Sequence, residues 1–259
     1  MKMRVVLAAA ALAVGSLLGP SAAQAATYDL AADLYSANQP GSAWTITYSG
    51  GPLSVIPKAS VGTDNHLYPA VPSAGILSSG PSMNANTPFL FKAAVNGSQT
   101  DLDPNGNRLD DGDFLAGDLL VHSPNEGSLT ITWEAPTAGV INNFEFDVWY
   151  AHSTISRSND VSMTIAGDPN SPYSWVTSAV LNSDRGGIGA LSGGGLSVNA
   201  GDLITLVFAK TSGQQFGSLS ALNLSFELAP VPIPASLPLF AAGLVGLGWI
   251  ARRKRQAAA

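Results

Sequence analysis

The chain contains no cysteine. No disulfide braces it, and no thiol can act as nucleophile or soft-metal ligand. Charge is also scarce: 12% of its 259 residues are Asp, Glu, Lys or Arg, against roughly 25% in an ordinary globular domain. The three histidines, His66, His122 and His152, are scattered without metal-ligand spacing and read as loop or strand-end residues. There is no Gly-x-Ser-x-Gly elbow, no His-Glu-x-x-His helix motif and no phosphate-cradling glycine loop before a helix. Four glutamates, Glu126, Glu134, Glu145 and Glu227, offer carboxylates for glycosidase chemistry. Nothing in their spacing selects a pair. These absences leave no catalytic constellation, and a non-enzymatic protein is expected.

Two apolar segments stand at the ends. Lys2 and Arg4 precede an apolar run from Val5 to Leu18, Gly19-Pro20 breaks it, and Ala23-Gln24-Ala25 gives a small-x-small cleavage pattern. Residues 1–25 therefore read as a secretory signal peptide cut after Ala25, the alternative being an uncleaved anchor. At the other end, Pro230, Pro232 and Pro234 exclude helix around Val231 and Ile233. Ser236 to Ala251 then carries no charge, and Arg252, Arg253, Lys254 and Arg255 close it. Such a helix would be about 24 Å long, enough to cross a bilayer with some thinning and snorkelling, with the basic cluster on the cytoplasmic side.

These ends hold six of the twelve basic residues, whereas all eighteen acids lie between Asp29 and Glu227. The intervening region thus has a formal net charge of −12, twice the whole-chain value of −6. That balance excludes a phosphate backbone as ligand, so no nucleic-acid partner is expected. It suits an exported surface and divalent cations.

The residues from Ala26 to Ala229 show the short, alternating apolar runs of an all-β protein. Strands are predicted at Trp44–Tyr48, from Phe89, at Leu129–Trp133, Asn143–Tyr150, Val161–Ile165 and Leu203–Phe208, and through Leu222, Leu224 and Phe226. The near-continuous apolar run Leu203–Phe208 predicts a strand covered on both faces. Ala135–Gly139 and Asn199–Asp202 read as turns. Gly50 to Pro88, rich in Pro, Ser and Gly, is expected to be a long loop over one end. Asn182 to Gly195, with six glycines, is expected to hold at most a short strand.

The segment Val231-Pro232-Ile233-Pro234-Ala235, followed by the Gly-spaced apolar stretch and the Arg252–Arg255 cluster, resembles the PEP-CTERM class of sorting signals in its Val-Pro-Leu-Pro-Ala variant. Ile233 in place of Leu is its one departure. The resemblance covers about the last 30 residues and implies cleavage by an exosortase after export through the general secretion machinery. It implies a transient inner-membrane anchor and delivery to the outer surface or matrix of a Gram-negative, exopolysaccharide-making bacterium. More weakly, Thr130 to Gly139 and Leu196 to Ile204 resemble strand-turn segments of jelly-roll, carbohydrate-binding-like modules. The expectation is an all-β, jelly-roll-like β-sandwich (26–229) between a signal peptide (1–25) and a sorting signal (230–255), with a short tail (256–259). A carbohydrate-binding role toward exopolysaccharide is the alternative to a matrix role, and a glycan-active hydrolase the next.

Two kinds of site are legible. Asp101, Asp103 and Asn105 with Gly106 match the first half of a calcium loop. The bidentate position falls on Gly112, between Asp111 and Asp113, so the stretch reads either as a calcium site using Asp101, Asp103, Asn105 and Asp111 or as a turn-rich surface loop. Trp149 and Trp175 either stack on sugar rings or pack between strands.

Overall fold

The computed structural model describes residues 24–49, 51–61, 67–81, 83, 86–97, 114–151, 157–177, 190–231 and 244. The chain divides into two compact units: Ala26–Ala229, and a second containing Met1–Ala25 and Pro230–Ala259. Most of the second unit lies outside the described residues, including Ala23, Pro232 to Ala235 and Arg252 to Arg255. Among the described residues no helix is long and apolar enough to cross a membrane.

The first unit is an all-β sandwich. Its strands are β1 (Ala26–Asp29), β2 (Trp44–Tyr48), β3 (Gly51–Pro52), β4 (Ser54–Ile56), β5 (Ile76–Ser78), β6 (Phe89–Lys92), β7 (Leu119–His122) and β8 (Ser128–Glu134). They continue as β9 (Gly139–Tyr150), β10 (Asn159–Ile165), β11 (Tyr173–Val176), β12 (Ala190–Gly193), β13 (Leu196–Val198), β14 (Leu203–Lys210) and β15 (Leu219–Pro230). One sheet has nine strands in the order β12-β9-β15-β7-β6-β5-β4, with β1 also on β15 and β13 also on β9. The other has six, in the order β11-β10-β14-β8-β2-β3. Both predicted turns carry the chain from one sheet to the other: Ala135–Ala138 from β8 to β9, and Asn199–Asp202 from β13 to β14.

Period-two alternation builds the core. Trp44, Ile46, Leu129, Ile131, Trp133, Leu206 and Phe208 of the smaller sheet face Phe144, Phe146, Leu224 and Phe226 of the larger one. Entry to this core is set by a short capped turn. The Asp29 carboxylate accepts from the amides of Ala31 and Ala32, at 2.8 and 3.1 Å, and starts the single-turn helix α1 (Leu30–Asp33). Leu30 and Leu34 are thereby driven into the core.

A second apolar cluster covers the outer face of the larger sheet at one end. It joins Ile56, Val61, Leu67, Val71, Ile76 and Met83 to Phe89, Phe91, Leu120, Trp149 and Leu219. Adjacent residues therefore serve opposite faces: Leu90 the sandwich interior, Phe89 and Phe91 the outer cluster. This corrects two expectations. The Gly50–Pro88 stretch is not simply a loop, since it supplies β3, β4, β5 and two short 3-10 turns to the sheets and their outer cover. The strand covered on both faces is not β14, whose alternate residues Leu203, Thr205 and Val207 stay exposed or half-buried because nothing described roofs the six-stranded sheet. It is β6 and β7, where every apolar residue is buried.

Tyr35 ties the cover to the sandwich by donating its hydroxyl to the carbonyl of Gly75 at 2.8 Å. Burial pushes its pKa up from 10.0 to about 12. The unfolded chain therefore loses this proton first as pH rises, so stability contributed by the neutral phenol is intact below pH 10 and falls between there and about 12. Urea midpoints measured across that window should fall more steeply for the native chain than for Tyr35→Phe. Parallel pH profiles would remove this reading.

Candidate functional site

The two sheets do not close against each other at the β11 edge. There β11 and β10 of the smaller sheet face β9, β12 and β13 of the larger, and a groove of about 260 Å³ remains between them, lined by Ile141, Phe144, Ile165, Tyr173, Leu191 and Gly193 to Leu196 among others. The sequence explains the opening. β12 and β13 both pair with β9, and Gly194 and Gly195 make the step between them. Gly195 has φ +79°, and its amide bonds to the Ile141 carbonyl at 2.8 Å. Three successive glycines put backbone, with no side chains, along this wall.

On the opposite side Tyr173 lines the groove, and Trp175, two residues further along β11, stands next to it outside the lining. Tyr173 and Trp175 alternate onto one side of β11, with near-parallel rings, 17° apart in plane and 6.1 Å between centroids. Trp175 leans on Phe146 at 4.9 Å and is half-buried, leaving part of its ring open. Tyr173 is held from outside the strand. The Asp168 carboxylate accepts its hydroxyl at 2.8 Å and the Asn170 amide at 2.9 Å, and the Ser171 hydroxyl accepts from Ile165 N at 3.0 Å. The bond to Asp168, with some burial, raises the Tyr173 pKa, so the phenol stays protonated as a donor. A polar recess of about 310 Å³ adjoins across β12, lined by Glu145, Asp147, Asn223 and Ser225 and sharing Leu191 and Ser192 with the groove. Fixed ring faces beside polar groups can hold a pyranose, whose C–H faces lie on the rings while its hydroxyls bond at the rim.

A larger cleft of about 530 Å³ opens elsewhere on the unit, between β1, α1 and the β2–β8 pair. Tyr28, Asp33, Ser36, Ser42, Trp44 and Glu134 line it. It is more polar than the groove and shares no lining residue with it.

The residues predicted from sequence fall in different places. Trp175 stands beside the groove, its ring next to that of Tyr173, but does not line it. Trp149 lies on the same sheet face as Glu145 and Asp147, as alternation predicts, but it is fully buried under the outer cluster and offers no ring face to a ligand. Asp101, Asp103, Asn105 and Asp111 lie outside the described residues, as do His66 and His152. Among the described residues no group of three or more His, Cys, Asp or Glu is placed to hold a metal. His122 ends β7, buried, with its ring stacked 4.8 Å from that of Phe89. Glu134 and Glu145 line separate recesses. Ala25 and Val231 are both exposed. Sequence reading missed Tyr173, Asp168 and the glycine wall, although the aromatic-x-aromatic spacing of Tyr173 and Trp175 and the run Gly193–Gly195 were available signals.

Comparison with protein-family models finds no match, and neither does comparison with curated proteins. Two solved structures show a slight likeness. One is the CBM22-1–GH10 modules of an endo-1,4-β-D-xylanase from Clostridium thermocellum in complex with xylohexaose. The match has 12% identity and a TM-score of 0.24, over 70% of this chain and 29% of that one. The other is a family 11 carbohydrate-binding module from Clostridium thermocellum with a β-1,3-1,4-mixed-linked tetrasaccharide. It has 6% identity and a TM-score of 0.18, over 83% of this chain and 96% of that one. This chain thus spans about 29% of the length of the first. Likenesses this slight bring no ligand to the present chain.

Proposed function

We propose that this is an exported, non-enzymatic surface or matrix protein whose β-sandwich, of jelly-roll type, binds polysaccharide in the groove at the β11 edge. The observation that carries the binding reading is the pair of parallel rings, Tyr173 and Trp175, fixed beside an open inter-sheet groove. The delivery reading rests on sequence. Residues 1–25 address the chain to the general secretion machinery, the uncharged 236–251 segment anchors it transiently in the inner membrane, and an exosortase acts at Val231–Ala235. The acidic surface of the exported region agrees with a life outside the cell and with no nucleic-acid partner.

The binding test uses the fragment Ala26–Pro230, the first unit with one further residue, which contains every strand of both sheets. Affinity electrophoresis through gels carrying the host's exopolysaccharide is expected to retard it. Trp175→Ala is expected to weaken binding about tenfold, equivalent to ~1.4 kcal/mol of lost stacking. Tyr173→Phe, which keeps the ring and loses the Asp168 bond, should weaken it less than Tyr173→Ala. Unretarded migration in every polymer removes the binding reading and leaves a purely structural matrix role. Release of reducing ends would replace both with the hydrolase. The delivery reading is tested separately: in the host, Pro232→Ala with Pro234→Ala should leave the uncut precursor in the inner-membrane fraction.

A further inference from the structure

The cleft between β1, α1 and the β2–β8 pair is not used by the groove reading, and its chemistry differs. Its polar lining combines two carboxylates, Asp33 and Glu134, with the Tyr28 phenol and the hydroxyls of Ser36 and Ser42, and among the described residues no Lys or Arg lines it. The two acids are differently employed. One oxygen of Asp33 accepts the Trp44 indole N–H at 3.1 Å, which fixes that carboxylate against the wall. Glu134 is exposed at the end of β8, anchored by its backbone amide on the Ala43 carbonyl at 2.9 Å. The Tyr28 ring is clamped between core aromatics, edge-on to Trp133 at 5.1 Å and stacked on Phe226 at 5.5 Å. Its pKa is raised by burial and by the Asp33 charge, so it presents a hydroxyl and not a phenolate. At Gly41, φ +85°, nothing lies within 4 Å of where a Cβ would stand, so the cleft is open on that side. Its volume of about 530 Å³ falls within the range of roughly 300–1,000 Å³ usual for small-ligand sites.

We infer that this cleft is a second saccharide site, selective for rings that carry a free amine, so that one domain holds two stretches of polymer. The inference rests on the glycan reading of the groove. Hydroxyl-bearing walls and a fixed phenol suit a sugar ring, and two carboxylates lining one cleft, with no basic residue beside them among the described residues, favour a cationic amine on that ring. An N-acylated or uronic-acid ring would leave that charge unanswered or oppose it. The two sites are separated within the smaller sheet. The groove is walled by β11, the cleft by β2, and four inter-strand steps lie between, roughly 19 Å at ~4.8 Å per step. A ring bound in one site therefore does not fill the other, and two sites on a rigid sandwich can hold two stretches of polymer.

The test is an amide NMR titration of Ala26–Pro230 with two probes, a glucosamine hexamer and its fully N-acetylated counterpart, repeated with Glu134→Gln and Trp175→Ala. Glu134 is exposed, so its replacement leaves the fold intact. With the glucosamine hexamer, amides around Tyr28, Ser42 and Glu134 should shift on one isotherm and those around Trp175, Ser192 and Gly194 on another. Glu134→Gln should weaken only the first, about fivefold to tenfold, and Trp175→Ala only the second. High-mass glucosamine polymer should turn turbid with the native unit and stay clear with either variant. Groove shifts without cleft shifts overturn the second site and leave the groove reading standing. Cleft shifts without groove shifts do the reverse. Equal binding of the acetylated probe in the cleft overturns the amine selectivity, and no shift with either probe overturns both sites.

Discussion

Asn159→Ala is expected to destabilise the sandwich by about 4 kcal/mol, which is a large part of the roughly 5–15 kcal/mol that holds a domain of this kind together. Asn159 is fully buried at the start of β10. Its side-chain amide donates to the Ser218 carbonyl at 2.7 Å and to the Ser220 hydroxyl at 2.8 Å. The amide oxygen accepts from the Ser218 backbone N–H at 3.0 Å and from the Ser123 hydroxyl. Its own backbone N–H goes to Thr177 Oγ1 at 3.0 Å. One side chain of the six-stranded sheet thus ties the ends of β7 and β15 in the nine-stranded one. Alanine removes four bonds and leaves their partners buried, with only the long contact from Ser218 N–H to Ser123 Oγ at 3.3 Å remaining among them, which is the expensive way to lose hydrogen bonds. Asn159→Asp is the sharper variant. It has nearly the same shape, but it sets a carboxylate oxygen against the Ser218 carbonyl, so it should cost at least as much as alanine. Ser218→Ala is the control: that buried hydroxyl has no partner among the described residues, so its loss should be close to neutral. Urea unfolding of the three variants decides it. If Asn159→Asp left the protein as stable as the native one, packing, and not the amide network, would join the sheets here.

The knot at Asn159 also shows why some of the fold was legible in the sequence and some was not. Strands with one wet face announce themselves. β2 coincides with the predicted Trp44–Tyr48, and β8 and β10 extend the predicted runs by one or two residues at their ends. Their outer residues, such as Thr45, Thr130, Thr132 and Thr164, really are exposed or half-buried, so alternation survives into the structure. β7 and β5 are different. Leu119-Leu120-Val121 and Ile76-Leu77 are buried on both faces, and a run of three apolar residues in a stretch rich in Pro and Gly carries no period to read. What buries the outer face of β7 is the cover built from residues far away in sequence, between Ile56 and Met83, to which Ile76 of β5 itself belongs. The same cover decides Trp149, whose place on the polar side of β9 was readable but whose roof was not.

The candidate site was legible only in parts. Trp175 could be named because tryptophan is rare and costly to expose. Tyr173 takes its meaning from Asp168, five residues earlier across a turn, and from Phe146 behind its neighbour. The opposing glycine wall comes from the joint between β12 and β13. A groove between two sheets is a property of which edges fail to meet, and edge order is not written in any local pattern.

Phe226→Ala should be the most damaging single truncation in the apolar core, costing about 4 kcal/mol, with Phe226→Leu costing roughly 1–1.5 kcal/mol. The ring of Phe226 is where four others converge. It stacks on Tyr28 and Phe144, with centroids at 5.5 and 5.9 Å, meets Trp133 edge-on at 4.9 Å and tilts against Trp44 at 6.2 Å. Those rings come from β1, β9, β8 and β2, so the residue couples both sheets and the first strand at one point. Removing it leaves a void among large planar groups, which collapse poorly because each is already held by a strand backbone. The effect should concentrate on β1. That strand has four residues and pairs with β15, Tyr28 lying opposite Phe226, so the stack of their rings is a large share of what docks it. In Phe226→Ala, amide exchange at Thr27 and Tyr28 should speed up more than at Ile131 or Leu206, and the near-ultraviolet signal of the Trp44–Trp133 pair should weaken. Uniform acceleration across the sandwich would instead mean that β1 unfolds only with the whole domain. A cost below about 1 kcal/mol would place the centre of the core away from Phe226.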